Sequence, residues 1–300
     1  MVSRFRRTLS FSAPNPIRPS SQEKSYHIRS TSFPCRSHHP LISQLKDAIN
    51  ELRTWVSSNP HPLSHGLNRL QSVHDSLDDL LQLPRTQDSL RRRPDWVDKL
   101  LEDFLRFVDA YSIFRTALMA LKEQHLAVQV TVRRRDDSNI ASYIKARKRM
   151  DKEMSKLISV VRCIGRRRRS SVPPPAASLS DVDVELAGVF RDVNDVTVSV
   201  SISLFNGMMS SSSSSSLKHW MLWGSSKKVK AAEEGIREFG EVGVERLCQL
   251  KKQGEEQVRL TLGRLQAMED CIVGIENASE RVFRSLINTR VSLLNILTDR

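Results

Sequence analysis

Apolar side chains recur every three or four residues along most of this chain, and this spacing constrains its fold more than any other feature. The segment "LISQLKDAINELRTWV" shows the repeat over residues 41–56, and a second run extends from Leu63 to Leu80, before Pro84. Because an α-helix turns once every 3.6 residues, such spacing places the apolar groups on one face. The two runs predict a pair of amphipathic helices in an antiparallel hairpin.

The next two apolar stripes predict longer helices. One follows "RRRP", with Asp95 at the position of its cap and apolar residues from Val97 to Val128, and it ends near "RRRDDSN". The other begins at Ser138 and continues to Ile164. Together with the hairpin, these helices predict an N-terminal helical lobe over residues 41–164.

A basic, proline-rich linker is predicted over residues 165–180, because the three successive prolines of "GRRRRSSVPPPAAS" cannot continue a helix. A C-terminal helical lobe is predicted over residues 181–300, with a serine-rich spacer at 210–216. Within this lobe, "DVNDVTVSVSISLF" alternates like a strand and also fits a helical stripe. The helical neighbours favour a helix, since a single strand would have no partner.

The end of the chain predicts a long helix that resembles a coiled coil. Its seam positions step by three and four and include two hydroxyl residues; they are Leu265, Met268, Ile272, Ile275, Ser279, Val282, Leu286, Thr289, Leu293 and Ile296. Such a seam packs against the protein's own helices or joins two copies of the chain. We favour the first and keep a homo-oligomer through this helix as the alternative. The expected fold is all-α: an elongated antiparallel helical bundle with a disordered basic tail over residues 1–40.

Composition agrees with a helical bundle and with anionic partners. The 300 residues include 11 glycines and 6% aromatic residues, which suits helices better than the tight turns of an α/β enzyme. Lysine and arginine outnumber aspartate and glutamate by 47 to 34, giving a formal charge of +13. This excess attracts acidic membrane surfaces and acidic or phosphorylated proteins. Specific nucleic-acid binding is not expected, because no recognition motif or aromatic stacking platform is visible.

Two features of the sequence bear on the compartment. No run of about eighteen apolar residues appears, so no membrane-spanning helix is expected. The first 22 residues contain arginine and serine without an acid, as transit peptides do, but they have no clear apolar helical face. We favour a cytoplasmic protein, with the nucleus and the membrane periphery as alternatives.

Four segments resemble a family of plant proteins. They are "SYHIRSTSFPCRSHHPL", "LQSVHDSLDDLLQLP" followed by "TQ", "ASYIKARKRMDKEMSKLI" and "VFRSLINTRVSLLNIL". Together they are similar to the plant-specific domain of unknown function 241 family, which is related to the BYPASS-type proteins. The resemblance extends from about residue 25 to the end of the chain. It implies a mostly helical plant protein without known enzymatic activity that is associated with root and shoot development, and it implies no catalytic residues.

The sequence contains no constellation typical of catalysis or of a metal site, so neither an enzyme nor a cofactor is expected. Four pairs of acids occupy adjacent positions and are interpreted as solvated surface: Asp78/Asp79, Asp136/Asp137, Glu233/Glu234 and Glu255/Glu256. His74 is interpreted as a polar core position. Cys35, His38 and His39 form one cluster, but zinc would require a second ligand motif, which is missing.

The N-terminal segment instead matches a phosphopeptide motif. Arg29-Ser30-Thr31-Ser32-Phe33-Pro34 has the pattern R-S-x-S-x-P, which 14-3-3 proteins recognise when the second serine is phosphorylated. Arg29 supplies the charge that a basophilic kinase requires, and the phosphate would then bind an arginine cluster. A weaker match ends at Ser171 and Pro173. Two such sites could engage one 14-3-3 dimer and gain affinity through effective concentration.

Another candidate contact is the basic run formed by Arg166, Arg167, Arg168 and Arg169, which we place in the predicted linker. It is typical of a nuclear import signal or of an electrostatic contact to anionic lipid. Each arginine near an anionic membrane contributes about 1 kcal/mol of attraction, and phosphorylation of the serines that follow would reduce it. The sequence therefore predicts a non-enzymatic regulatory or interaction protein that docks phospho-binding adaptors. A peripheral membrane adaptor is the alternative.

Overall fold

The protein is described by a computed structural model that covers residues 40–58, 62–170, 180–209, 247 and 254–298. Within these residues the chain forms helices and no strand, so the predicted all-α class is confirmed. The helices are α1 (Pro40–Ser57), α2 (Leu63–Leu81), α3 (Pro84–Arg91), α4 (Pro94–Arg134), α5 (Ile140–Ser170), α6 (Asp181–Gly207) and α7 (Glu255–Thr298). The predicted tail and serine spacer lie outside the described residues.

Prolines are the first residues of three of these helices, α1, α3 and α4. Pro84 opens α3 and Pro94 opens α4, where the missing N–H costs no hydrogen bond and the fixed φ suits the first turn. The eight-residue α3 was not predicted, because it is too short to show an apolar period. At the other end of α4, Arg135 adopts a left-handed conformation with φ 56° and ends the helix.

The ambiguous segment of the C-terminal half is helical, as predicted. It lies within α6, whose first turn is capped by Ser180: the serine Oγ accepts a hydrogen bond of 3.2 Å from the N–H of Asp183. The alternating valines become a helical face because buried positions recur from Leu186 to Leu204 at intervals of three and four.

The predicted boundary between α5 and the linker requires a correction. We placed the end of the helix at Ile164, whereas α5 continues to Ser170 and includes the whole run Arg166–Arg169. Arginine is a good helix former, and cations near a helix C-terminus interact favourably with the helix dipole. The basic run therefore lies on a helix rather than in a linker.

The helices surround one hydrophobic core. α7 packs against α2 and α4, α5 packs between α4 and α6, and α6 closes against α1 and α2. Four aromatic residues of α4 lie in the centre, namely Phe104, Phe107, Tyr111 and Phe114. Phe205 of α6 contacts two of them, with ring centroids 6.3 Å from Tyr111 and 5.5 Å from Phe114. Helices from the segments 41–164 and 181–300 thus contribute to a common core.

The seam of α7 is buried inside this bundle. Each of its ten predicted positions, from Leu265 to Ile296, is buried. Charged contacts flank the seam on the α4 side: Arg115 pairs with Glu280, and Lys122 lies 2.5 Å from Glu276. Packing within the chain, the interpretation that we favoured, therefore occupies the seam.

A glycine at the α1–α2 contact generates a testable prediction about stability. A Cβ at Gly66 would collide with the ring of Trp55, whereas a Cβ at Gly188 in α6 would meet no atom within 4 Å. Gly66→Ala should lower the free energy of unfolding by about 1–3 kcal/mol through overpacking. Gly188→Ala, the matched control, should raise it by about 0.5–1 kcal/mol because alanine favours helix. Urea unfolding followed by circular dichroism measures both, and equal effects would contradict the described α1–α2 contact.

Candidate functional site

Helix α6 brings polar side chains into the core, where α2 and α4 satisfy them. The hydroxyls of Thr197 and Ser201 donate to backbone carbonyls one turn earlier, each over 2.7 Å. Their oxygens therefore accept from the neighbouring helices: His74 Nε2 lies 3.1 Å from Thr197 Oγ1, and Tyr111 Oη lies 3.2 Å from Ser201 Oγ. These contacts fix how α6 is rotated against α2 and α4.

His74 is a core residue, as the sequence indicated. It is fully buried, and its ring meets the edge of Phe104 with centroids 5.9 Å apart. Burial lowers the pKa of His74 from 6.5 to about 3, because the charged imidazolium would lose its hydration. Its Nε2 is engaged by Thr197, so the ring is held neutral as a hydrogen-bond donor and is not placed to act as a general base.

A second polar cluster joins α4 to α7. His125 Nε2 donates to the carbonyl of Leu265 over 2.8 Å, and Gln129 Nε2 donates to Glu269 Oε2 over 2.8 Å. Burial is the largest influence on His125 and lowers its pKa, although the Leu265 carbonyl and Glu269 favour the charged form. Both side chains come from the inner face of α4, one turn apart.

Helix α5 closes this cluster from the other side. Tyr143 is fully buried, its ring centroid lies 6.0 Å from that of His125, and its hydroxyl lies 3.5 Å from Met268 Sδ. Arg147 Nη1 reaches the Tyr143 hydroxyl at 3.5 Å. Burial raises the pKa of Tyr143, so the phenol stays protonated at neutral pH. The cluster holds three helices in register and contains no activated nucleophile.

Within the described ranges, no group of three or more histidine, cysteine or acidic side chains is arranged to hold a metal ion. The cluster of Cys35, His38 and His39 lies outside those ranges.

The two motif segments around residues 70–84 and 282–297 contact each other directly. Ser285 Oγ donates to Asp75 Oδ1 over 2.6 Å, and Ser292 Oγ donates to Asp78 Oδ1 over 2.5 Å. We expected both Asp78 and Asp79 on the solvated surface. This is wrong for Asp78, which faces α7, whereas Asp79 beside it is exposed. Charge-assisted hydrogen bonds of this kind fix the register of α2 against α7.

The outer face of α5 is strongly basic. Its exposed cations in the first half of the helix are Lys145, Lys148, Arg149 and Lys152. Between α5 and α4 lies an open groove of about 340 Å³, and Lys145 and Arg149 form part of its lining. The sequence alone could not predict this groove, since nothing in it shows which helix lies beside these cations.

The structure describes few of the predicted contact residues. Arg29, Ser30, Ser32, Pro34, Ser171 and Pro173 lie outside the described residues. Arg166 is exposed on α5, and the backbone of Arg167, Arg168 and Arg169 continues the same helix. No described helix is both long and apolar enough to cross a bilayer.

Comparison with protein families gives a match over most of the chain. The family model described as Protein BPS1 matches residues 66–296, which includes almost the whole helical bundle from α2 to α7. The matched region contains two of the four motif segments noted in the sequence, and all of a third except its last residue. Curated proteins gave no match, and neither did solved structures.

The buried state of His74 predicts how stability depends on pH. An unfolded histidine binds a proton below pH about 6.5, whereas folded His74 does so only near pH 3. The unfolded state therefore binds more protons as the pH falls, and stability decreases through this window. Between pH 7 and pH 5 this one group should lower the free energy of unfolding by about 2 kcal/mol.

Urea unfolding at the two pH values measures this effect, and His74→Gln provides the comparison. The glutamine amide can still donate toward Thr197 but does not titrate, so the variant should lose about 2 kcal/mol less between pH 7 and pH 5 than the parent. Identical pH dependence in the two proteins would show that His74 is not held neutral by burial.

Proposed function

Because the chain belongs to the BPS1 family of plant proteins, we propose that it is a non-enzymatic regulatory protein that acts in root and shoot development by binding other proteins. The family match indicates a plant protein connected with development, and no enzymatic activity is known for the family. The observation that best supports an interaction role is that buried polar side chains of the core form hydrogen bonds between helices. His74, Tyr111, His125 and Gln129 each bond to a neighbouring helix rather than facing a substrate cavity.

Docking of a phospho-binding adaptor is the mechanism that we propose. Arg29, Ser32 and Pro34 provide the kinase determinant, the acceptor and the turn that 14-3-3 recognition requires. A weaker match, at Ser171 and Pro173, follows directly after the end of α5 at Ser170. Phosphorylation would add close to two negative charges in a strongly basic segment, so binding would depend on a basophilic kinase.

Substitution of the phosphorylation site tests this mechanism. After treatment with a basophilic kinase, Ser32→Ala should bind a purified 14-3-3 protein at least about tenfold more weakly than the parent, because the phosphate supplies the charge-assisted hydrogen bonds. Ser37→Ala is the matched control and should bind like the parent. Fluorescence anisotropy or calorimetry gives the dissociation constants. Equal binding of the 14-3-3 protein by Ser32→Ala and by the parent would contradict this mechanism.

A peripheral membrane adaptor is the second candidate. It is favoured by the finding that α5 continues through the basic run Arg166–Arg169. The run Arg166–Arg169 occupies consecutive positions of the last turns of a helix, with Arg166 exposed. A cluster of arginines is attracted to an anionic membrane surface, and each residue adds to the attraction. Such binding would place the protein at the membrane periphery, whereas docking to adaptors alone is compatible with the cytoplasm or nucleus.

Vesicle sedimentation separates the two candidates. Replacing Arg166–Arg169 by glutamine should weaken binding to anionic vesicles by about 1 kcal/mol per residue at low salt, and the effect should shrink as salt rises. The triple variant Arg133→Gln, Arg134→Gln and Arg135→Gln removes a basic run elsewhere and serves as the control. Binding that is equally strong with neutral vesicles, or equally weakened in the control, would exclude a specific role for Arg166–Arg169.

A further inference from the structure

The groove between α4 and α5 has the properties of a protein-docking site. We propose that it binds an acidic amphipathic α-helix of a partner protein, which would give the interaction role proposed above a folded binding surface. The proposal rests on that role, but it concerns residues 117–150, far in sequence from Ser32.

Small side chains make room for a helix in this groove. Ala117 and Ala120 of α4 face Ser142 and Ala146 of α5, and the groove measures about 340 Å³. From Ser142 to Met150 the lining extends over roughly 12 Å, or about two helical turns at 1.5 Å per residue. Close approach of a helix to two others requires such small contact residues, since interaxial distances depend on the side chains between them.

Apolar side chains from both helices line the groove. They include Ala117 and Leu121 of α4 and Ala146 and Met150 of α5. A concave surface lined by apolar side chains is typical of grooves that receive the apolar face of a helix.

The charge of the groove selects an acidic partner. Lys145 and Arg149 are four residues apart and both line the groove, with Lys148 and Lys152 on the adjoining surface. Within the part of the chain that the structure describes, none of these four cations has an ion pair or a side-chain hydrogen bond. Cations elsewhere do find acids, as Lys46 does with Glu185 at 2.7 Å. A partner helix with acids spaced four residues apart would complete these contacts.

The geometry favours a helix over a lipid surface. Lys145 and Arg149 line a concave site together with Ala120 and Met150, which a flat bilayer cannot enter. Glu123 lies on the opposite wall and would repel anionic headgroups. The same carboxylate suits a helix whose acids face α5 and whose neutral or basic side faces α4, so the charges also set its orientation.

A designed peptide tests the proposal with the full-length protein. The probe is a labelled peptide of about 18 residues, or five turns, with leucines every three or four positions and glutamates on one flank. We expect saturable binding by fluorescence anisotropy. Lys145→Glu/Arg149→Glu should weaken it by about tenfold, since two attractions become repulsions. Lys99→Glu/Arg259→Glu makes the same change in net charge at exposed positions on α4 and α7 and should alter binding less than about twofold.

A second variant tests the shape of the groove without changing its charge. Ala120 is exposed at the groove, so Ala120→Phe should fill it without entering the core and weaken binding by about fivefold. Circular dichroism shows whether Lys145→Glu/Arg149→Glu folds. If it does not fold, peptide binding by Ala120→Phe tests the groove instead.

Three results would overturn the proposal. One is absence of saturable binding by the parent protein, and another is equal binding of a peptide of the same composition with prolines that prevent a helix. The third is loss of anionic-vesicle binding in Lys145→Glu/Arg149→Glu while peptide binding persists, which would assign the cations to lipid. Kinase-dependent 14-3-3 binding measured on the same variants distinguishes this failure from failure of Ser32 docking, because Lys145 and Arg149 are not part of that motif.

Discussion

The burial of α7 between α2 and α4 is the interaction on which the rest of this structure depends. Ten seam positions of α7 point into the bundle, and helices from the beginning, middle and end of the chain meet there. Truncating one such buried leucine, for example Leu265, is expected to cost about 2–5 kcal/mol, while a domain is stable by only about 5–15 kcal/mol. The contacts bring together residues 210 positions apart, such as Asp75 and Ser285, so this part of the bundle closes only when α7 packs onto α2.

Buried polar groups give this apolar packing its register. Leucine and valine faces tolerate sliding and rotation, whereas His74 must meet Thr197 and His125 must meet the Leu265 carbonyl. A buried group that misses its partner costs about 1–3 kcal/mol, which is comparable to the loss of a well-packed methyl-bearing side chain. The polar interior therefore selects one arrangement among several that would bury similar apolar area.

On the surface of the bundle, some cations have no ion-pair partner among the described residues. Ion pairs join α4 to α7 and α1 to α6, whereas the exposed face of α5 has cations without partners in the described residues. The chain belongs to the BPS1 family over residues 66–296, which include all of α5. Its interactions would then depend on surface charge and on the segments that flank the helices.

The sequence by itself determined the helices, because their signal is local. Apolar spacing and prolines act over a few residues, so the long helices and the helical choice for α6 were predicted, and His74 was correctly placed in the core. The predicted cap of α4 was wrong, because Arg93 is the cap residue and Asp95 lies in the first turn. Local patterns are weaker at helix ends, which is why α5 was predicted to stop at Ile164 and the short α3 was missed. Ser32 and its neighbours remain a prediction from sequence.

Only the tertiary structure decided which helices meet and what lies between them. The contact of Asp78 with Ser292, the cluster of His125, Gln129 and Tyr143, and the groove beside Lys145 all join residues from different helices. A single sequence shows which face of a helix is apolar but not which neighbour covers it, because many pairings bury similar area. The free energy that selects one pairing comes from side-chain packing and buried hydrogen bonds, which exist only after the helices have come together.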